Sequence, residues 1–324
     1  MQRHEPSLDP AAIAPPAVRR AGRADRVVMG LAVATMVCAY ALVVLGSTVR
    51  VTNSGMGCPS WPLCDGGIAP IDRLHPLLEQ SHRYLAALVT VGAFSTVIAA
   101  RRARGRRVAF GPAAVAAGLV VFQAALGALT VLAKNAPWTV AVHLVVGLVF
   151  FGVTVVTAVV AIRGQPVSLS RAAVGWWGWA LLAALLATIV GGSLVVANNA
   201  GGVCPAWPLC PASASSIADW QFVHRSLAGV AGISLVAFAW SRWRTMSGWR
   251  RASALGAIGL FVVVAAFGAA SALSRADASW QDAHLAMVAL LWGAAVAMVA
   301  VRATDLQRAA ERAPLGFPVV SQRA

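Results

Sequence analysis

The sequence is poor in charged residues, which make up 11% of its 324 residues, whereas a soluble domain carries about 25%. Hydrophobic residues account for 59%. This balance excludes an ordinary soluble protein and predicts a polytopic membrane protein. No small-residue cleavage site follows the first apolar run, so we interpret that run as a retained helix and not as a signal peptide.

Lysine is almost absent, since Lys134 is the single example. The chain therefore lacks the Gly-Lys-Ser/Thr ending of a phosphate-binding P-loop. It also lacks a Cys-x-x-Cys-His motif, so covalent c-type haem has no support. The net charge of +15 comes from arginines grouped between apolar runs. This grouping follows the positive-inside rule and does not indicate nucleic acid binding.

Eight apolar runs are long enough to cross a bilayer, since a spanning helix needs about 20 mostly apolar residues. Three of the segments between them, together with both ends of the chain, hold 20 of the 26 basic residues. We therefore expect these segments and both termini on the cytoplasmic side. The other loops, 49–79, 133–137, 198–220 and 274–280, would face outward. The predicted spans are 27–48, 80–100, 108–132, 138–162, 173–197, 221–241, 252–273 and 281–301.

An internal repeat divides the chain into two halves. Segment 58–64 (CPSWPLC) recurs as segment 204–210 (CPAWPLC), and His82 recurs as His224. Four spans per half make the repeats parallel. The sequence thus predicts an all-α integral membrane protein built from two parallel, pseudo-repeated four-helix bundles. Its predicted parts are a cytoplasmic tail (1–26), an N-terminal half (27–162), a cytoplasmic linker (163–172), a C-terminal half (173–301) and a second cytoplasmic tail (302–324).

Four histidines lie near the outward ends of predicted helices, two in each half. A single membrane histidine is often explained by a helix–helix hydrogen bond, but four at matched depth indicate a shared function. Two histidines on facing helices of a bundle commonly hold haem, and imidazole is a good iron ligand. We predict one bis-histidine haem site per half, formed by His82 with His143 and by His224 with His284.

The cysteines form two outward pairs, and Cys38 lies inside the first span. Because an outward loop is an oxidising setting, we predict the disulfides Cys58–Cys64 and Cys204–Cys210. We expect these short loops to stiffen a lid over each haem site or to exchange redox equivalents. A zinc site is the alternative, and it would require the two loops to meet.

The two halves differ beside their first histidines. Glu79 precedes His82 by three residues, and its counterpart in the second half is Gln221. Residues at i and i+3 share a helix face, so Glu79 is expected beside the first haem. The alternative is a helix N-terminal carboxylate favoured by the macrodipole. Arg83 and Arg225 are candidates either for haem propionates or for lipid headgroups. We expect chemistry at the first haem and electron transfer at the second.

Segment 50–64 (RVTNSGMGCPSWPLC), followed by Glu79-x-x-His82-Arg83, resembles the haem A synthases of the CtaA type. The eight spans, the repeated halves and the four histidines resemble that family as well, and the resemblance extends over residues 27–301. It implies an oxidoreductase that turns the C8 methyl group of haem O into a formyl group by two hydroxylations, the second giving a gem-diol that loses water. The haem A so made would supply terminal oxidases in the bacterial plasma membrane.

The resemblance also implies roles for the site residues. His82 and His143 would hold the substrate haem O. His224 and His284 would ligate the iron of a resident haem b. Glu79 would be the catalytic carboxylate next to the reacting methyl group, either as a proton acceptor or as a countercharge.

A third arginine and the implied partners complete this prediction. Arg50, which corresponds to Val196 in the second half, joins Arg83 and Arg225 as a candidate contact to the substrate or to propionates. The implied protein partners are haem O synthase, which is a farnesyltransferase, and the assembly machinery of the terminal oxidase.

Three other functions fit parts of the sequence. A di-haem cytochrome b that relays electrons to or from quinone would have no privileged carboxylate, so the difference between Glu79 and Gln221 counts against it. A transporter built from parallel repeats would place charges near the bilayer midplane, whereas the charges here lie at helix ends. A haem-transfer chaperone would differ from a synthase only in its products.

Overall fold

The computed structural model describes residues 22–58, 60–64, 67, 73–211 and 215–312. Eight of its helices are long and apolar enough to cross a membrane, and they match the eight predicted spans in number and order. No strand occurs in this described part of the chain. The helices are α1 (Arg23–Val51), α2 (Leu74–Arg102), α3 (Phe110–Leu132), α4 (Pro137–Arg163), the single turn α5 (Arg171–Val174), α6 (Trp176–Ala197), α7 (Asp219–Trp240), α8 (Gly248–Leu273) and α9 (Ala278–Arg312).

The helix boundaries differ from the predicted runs by a few residues at most ends, and three differences matter for the fold. Helix α2 begins at Leu74, ahead of the predicted start at residue 80, because polar residues in its first turns hide it from a hydropathy pattern. The predicted span 173–197 is interrupted at Gly175, whose φ of 75° suits glycine. Helix α9 continues past residue 301 to Arg312. Of the predicted tails, residues 1–21 and 313–324 lie outside the described residues.

The two groups of four helices pack differently. Helices α1 to α4 form a closed bundle, in which α1 packs along α2 and α4, and α3 packs along the same two helices. Helices α6 and α7 form a close pair, and α8 and α9 form another. These two pairs approach each other much less closely than the corresponding helices of the first group. The second group therefore consists of two helix pairs that face each other.

Helices α4 and α9 meet through a reciprocal contact between aromatic rings and glycines. The Trp292 indole lies against Gly152, where a Cβ would come within 2.8 Å of Nε1, and this nitrogen donates to Leu148 O (2.8 Å). The Phe151 ring lies against Gly293 in the same way, since a Cβ there would come within 2.9 Å of the ring. Small residues let the helices of the two groups approach closely at this seam.

Candidate functional site

His224 and His284 face each other from α7 and α9, across the space between the two helix pairs. Their ring centres are 6.4 Å apart and their ring planes are perpendicular. Nδ1 of His224 lies 3.0 Å from Thr188 O, and Nδ1 of His284 lies 3.0 Å from Val264 O. Because a carbonyl oxygen only accepts, each Nδ1 carries the proton, and each Nε2 keeps the lone pair that binds a metal.

This geometry fits a haem iron between the two imidazoles. Metal–imidazole bonds of about 2.0–2.1 Å, with roughly 1.1 Å from each nitrogen to its ring centre, place two ligating rings about 6.3 Å apart. The observed separation of 6.4 Å agrees with this value. The hydrogen bond from each ring to a backbone carbonyl fixes its tautomer and orientation, as the outer partners of metal-binding histidines generally do.

His82 on α2 and His143 on α4 form the other histidine pair. The protein holds this pair by different contacts. They lie close enough to interact electrostatically, but Nδ1 of each ring is buried without a hydrogen-bond partner among the described residues. Gln123 donates to the backbone oxygen of His143 (3.0 Å), and its own Oε1 is buried with no partner in that part of the chain. These imidazoles also suit iron, but the described part of the protein does not fix their orientation as it does for His224 and His284.

Each of the four histidines lies against a glycine of a neighbouring helix. A Cβ built on these glycines would come within 2.8 to 3.5 Å of the Cε1 atom of the facing ring. Glycine therefore gives the imidazoles room beside the adjoining backbone. The pairs are Gly46 with His82, Gly127 with His143, Gly192 with His224, and Gly268 with His284.

Glu79 lies in the second turn of α2 and is 4% exposed. Its Oε2 accepts from the Cys58 backbone N–H (2.7 Å), and its Oε1 accepts from the Arg83 guanidinium (2.5 Å). Arg83 also donates to Cys58 O (2.9 Å) and to Ser60 O (2.7 Å). The ion pair thus attaches the first cysteine loop to α2. Because Glu79 lies beyond the first turn, the macrodipole does not explain its position.

Gln221 occupies the same place at the second cysteine loop but makes different hydrogen bonds. It is 5% exposed, and its Oε1 accepts from Arg225. Its Nε2 donates to Ala200 O and to Gly201 O (2.8 Å). A carboxylate could not donate to these carbonyls. Arg225 donates in turn to Ala206 O (2.8 Å), so both arginines have loop partners that the sequence did not indicate.

The predicted cysteine pairs are at disulfide distance. The sulfur atoms are 2.08 Å apart in Cys58–Cys64 and 2.19 Å apart in Cys204–Cys210. Cys38 is a free thiol on α1, as predicted. Each disulfide closes a loop that is held by an arginine of the neighbouring helix, Arg83 of α2 or Arg225 of α7.

A polar cluster that the sequence analysis missed lies between α1 and α9. Thr48 donates to Asp282 Oδ2 (2.8 Å), and Arg50 donates to Gln281 Oε1 (3.2 Å). Arg50 Nε and Asp282 Oδ1 are buried without partners. Asp282 precedes His284 by two residues, so the cluster joins the first group of helices to a helix with a candidate iron ligand. An acidic residue within an apolar run was the available signal.

Comparison with known proteins gives several matches. A haem A synthase of Geobacillus thermodenitrificans is 32% identical over 208 residues, which are 60% of this chain and 66% of that protein. A haem A synthase of Symbiobacterium thermophilum is 27% identical over 274 residues, which are 78% of this chain and 87% of that protein. A protohaem IX farnesyltransferase of Haloarcula marismortui is 34% identical over 134 residues, which are 40% of this chain and 27% of that protein.

A family model also matches most of the chain. The model is described as COX15-CtaA, cytochrome oxidase assembly protein, and it matches residues 30–296. That range includes both histidine pairs, both cysteine loops and nearly all of the eight long helices. The chain belongs to the COX15-CtaA family of cytochrome oxidase assembly proteins.

Proposed function

We propose that this protein is a haem A synthase, a multi-pass oxidoreductase of the bacterial plasma membrane that converts haem O to haem A. The observation that carries the proposal is the family match over residues 30–296, and two of the matched relatives bear this name. The reaction turns the C8 methyl group of haem O into a formyl group through two hydroxylations and loss of water. The two histidine pairs give this chain one site for a substrate haem and one for a resident haem.

The proposed architecture is two parallel four-helix halves, 27–162 and 173–301, joined by the linker 163–172. Matching cysteine loops, matching arginine contacts and the four glycine–histidine pairs support this division. Both termini, with the tails 1–26 and 302–324, are cytoplasmic in this proposal. The clustering of arginines in three loops and the two tails supports that orientation.

The resident haem b belongs to the second half in this proposal, with His224 and His284 as its ligands. The support is the ring separation of 6.4 Å and the fixed tautomer of both imidazoles. A bound haem b supplies one-electron redox chemistry. The substrate haem belongs to His82 and His143, whose orientation the protein fixes less, as suits a haem that must be released.

Glu79 is the proposed catalytic carboxylate of the first half. Arg83 and the Cys58 N–H orient its two carboxyl oxygens at the outer end of α2. A carboxylate fixed in this way can oppose positive charge that develops at a neighbouring carbon or can accept its proton. Arg50 is the proposed contact to a substrate propionate, because its buried Nε–H has no partner among the described residues. Arg83 and Arg225 add positive charge near each site while they hold the loops.

The proposed partners follow from the substrate and the product. Haem O synthase would supply haem O, and the similarity to a protein named protohaem IX farnesyltransferase supports a link to that reaction. Assembly of a terminal oxidase would consume haem A, in agreement with the family description.

The decisive experiment is haem extraction from cells that make haem O and express this protein, followed by mass analysis. Haem A should appear with the wild-type chain and be absent without it. If the folded, haem-loaded protein yields haem O alone, it is not a synthase. A haem-transfer or electron-relay function would then replace the proposal.

A further inference from the structure

A small cavity lies at the centre of the α1–α4 bundle, away from the histidines. Each of the four helices contributes two lining residues. The lining consists only of alanines and threonines: Ala32, Thr35, Ala93, Thr96, Ala113, Ala116, Thr154 and Thr157. The cavity has room for about one water molecule.

The hydroxyl groups of this lining are not equally satisfied. Thr96 donates to Gly92 O (2.7 Å), Thr154 to Phe151 O (2.6 Å) and Thr157 to Val153 O (2.8 Å). These bonds leave lone pairs on the three hydroxyl oxygens as acceptors. Thr35, which is 6% exposed, has a buried hydroxyl with no partner among the residues that the structure describes.

A water molecule matches this set of groups. It can accept from the Thr35 hydroxyl and donate to hydroxyl oxygens on α2 and α4. A buried water usually makes about three hydrogen bonds to groups that would otherwise be unsatisfied. An empty cavity would leave the Thr35 donor unpaired in an apolar interior, which is unfavourable.

The second group of helices has no such lining. Aligned by the offsets of the repeated motifs, the four threonines correspond to Leu181, Phe238, Ala295 and Met298. Leu181 and Phe238 are fully buried and belong to the main apolar core. Small residues let the α1–α4 helices pack closely around the cavity, whereas three of the four corresponding residues in the second group are large and apolar.

Apolar layers separate the cavity from both ends of the bundle. Towards the histidines the interior contains Ala39, Val89 and Leu148, and towards the opposite end it contains Val28 and Ala109 among others. We propose that the substrate half alone binds an internal water molecule at Thr35, between these two apolar layers. The site itself does not depend on the proposed function; only its assignment to the substrate half does.

The test compares three variants of the full-length, haem-loaded protein in detergent. Thr35→Val keeps the side-chain shape but removes the donor, so with bound water it should lower the melting temperature by about 2–4 °C. Thr35→Ser keeps the hydroxyl and should stay closer to wild type. Thr90→Val is the control, because Thr90 bonds only to Ala86 O of its own helix (2.8 Å) and does not line the cavity; it should change little.

The direction in which Thr35→Val changes the melting temperature decides between a bound water molecule and a dry cavity. A dry cavity predicts a higher melting temperature, because the substitution then removes an unsatisfied donor, and that result would overturn the proposal. A structure at high resolution should show water density about 2.7–3.2 Å from Thr35 Oγ1. An empty cavity with the hydroxyl turned to Leu31 O would also overturn it. These results do not depend on whether haem A is made, so they are separate from a test of the enzyme activity.

Discussion

Glu79 and Gln221 lie at corresponding positions of α2 and α7 beside the two cysteine loops, but they form different hydrogen bonds. Glu79 accepts from a backbone N–H and from Arg83, whereas Gln221 accepts from Arg225 and donates to two carbonyls. Gln221 shows that the fold accommodates an amide at this position, but its partners are the carbonyls of Ala200 and Gly201, which precede the loop 204–210. The amide nitrogen of a glutamine at position 79 could not accept from the Cys58 N–H, so the carboxylate serves the attachment of the first loop and is also placed for a chemical use.

The two histidine pairs differ in how firmly the protein holds them, and here the second half has the more specific contacts. His224 and His284 are fixed by hydrogen bonds to Thr188 O and Val264 O, while Nδ1 of His82 and of His143 has no partner in the described part of the chain. One half therefore combines a special carboxylate with loosely held ligands, and the other combines an ordinary amide with firmly held ligands. This combination suits an exchanging substrate in the first half and a permanent cofactor in the second.

Removal of an iron ligand should give the largest difference between the two histidine pairs. His224→Ala and His284→Ala should abolish the low-spin haem b absorbance of the purified protein, because one imidazole cannot form the bis-histidine site. His82→Ala and His143→Ala should preserve that absorbance. If the spectrum survives both second-half changes and disappears with the first-half ones, the assignment of the halves is reversed.

Glu79→Gln should remove the charge and keep one of the two contacts. The glutamine oxygen can still accept from Arg83, as Gln221 does from Arg225, whereas its amide nitrogen cannot accept from the Cys58 N–H. The protein should therefore fold and keep the resident haem, with a less firmly attached loop. Loss of a placed charge should slow haem A formation by about 10²–10³-fold, and haem O should accumulate. The ratio of extracted haems measures the effect. Gln221→Ala is the matched change and should retain most activity; near-normal rates for Glu79→Gln would make Glu79 purely structural.

Glycine-to-alanine changes should perturb one haem at a time. A Cβ at Gly46 would lie 2.8 Å from the His82 ring, and one at Gly192 would lie 3.1 Å from the His224 ring. Since overpacking costs about 1–3 kcal/mol, Gly46→Ala should lower conversion about tenfold and leave the haem b spectrum intact. Gly192→Ala should alter the spectrum first. Equal effects of both variants on the spectrum would contradict separate sites.

Removal of each disulfide in turn should give the smallest difference in activity between the two halves. In isolated membranes, all four loop cysteines should resist alkylation until reduced, and Cys38 should react as the free thiol. Replacing Cys58 and Cys64 by serine should lower activity a few-fold more than replacing Cys204 and Cys210, because Glu79 bonds directly to the Cys58 N–H. Haem A yield from the two double variants measures this. Labelling of the loop cysteines without reductant would refute the disulfides.

The helices and the histidines could be predicted because their signals are local. Apolar length defines the eight spans, and His82, His143, His224 and His284 stand out within them. The start of α2 was missed because Arg73, His75 and Glu79 interrupt the apolar pattern there. Its helical turns are stabilised by contacts with the loop, which no hydropathy window contains.

Contacts between segments far apart in the sequence were harder to predict than the helices. Arg83 reaches carbonyls more than 20 residues away, and spacing alone gives no hint of this. Asp282 was missed because the repeat places Ala141 at the equivalent position, so the comparison of halves had no matching residue. Its partner Thr48 lies on α1, at the other end of the chain, as does Arg50, which donates to the adjoining Gln281.

The seam between α4 and α9 is built from two matching patches. Phe151 sits on Gly293 while Trp292 sits on Gly152, so each helix offers the same ring-and-glycine patch to the other. Self-complementary contacts of this kind are what an isologous dimer makes across a two-fold axis. The seam is therefore a two-fold-like contact within one chain, and a side chain larger than glycine on either helix should displace the ring of the other.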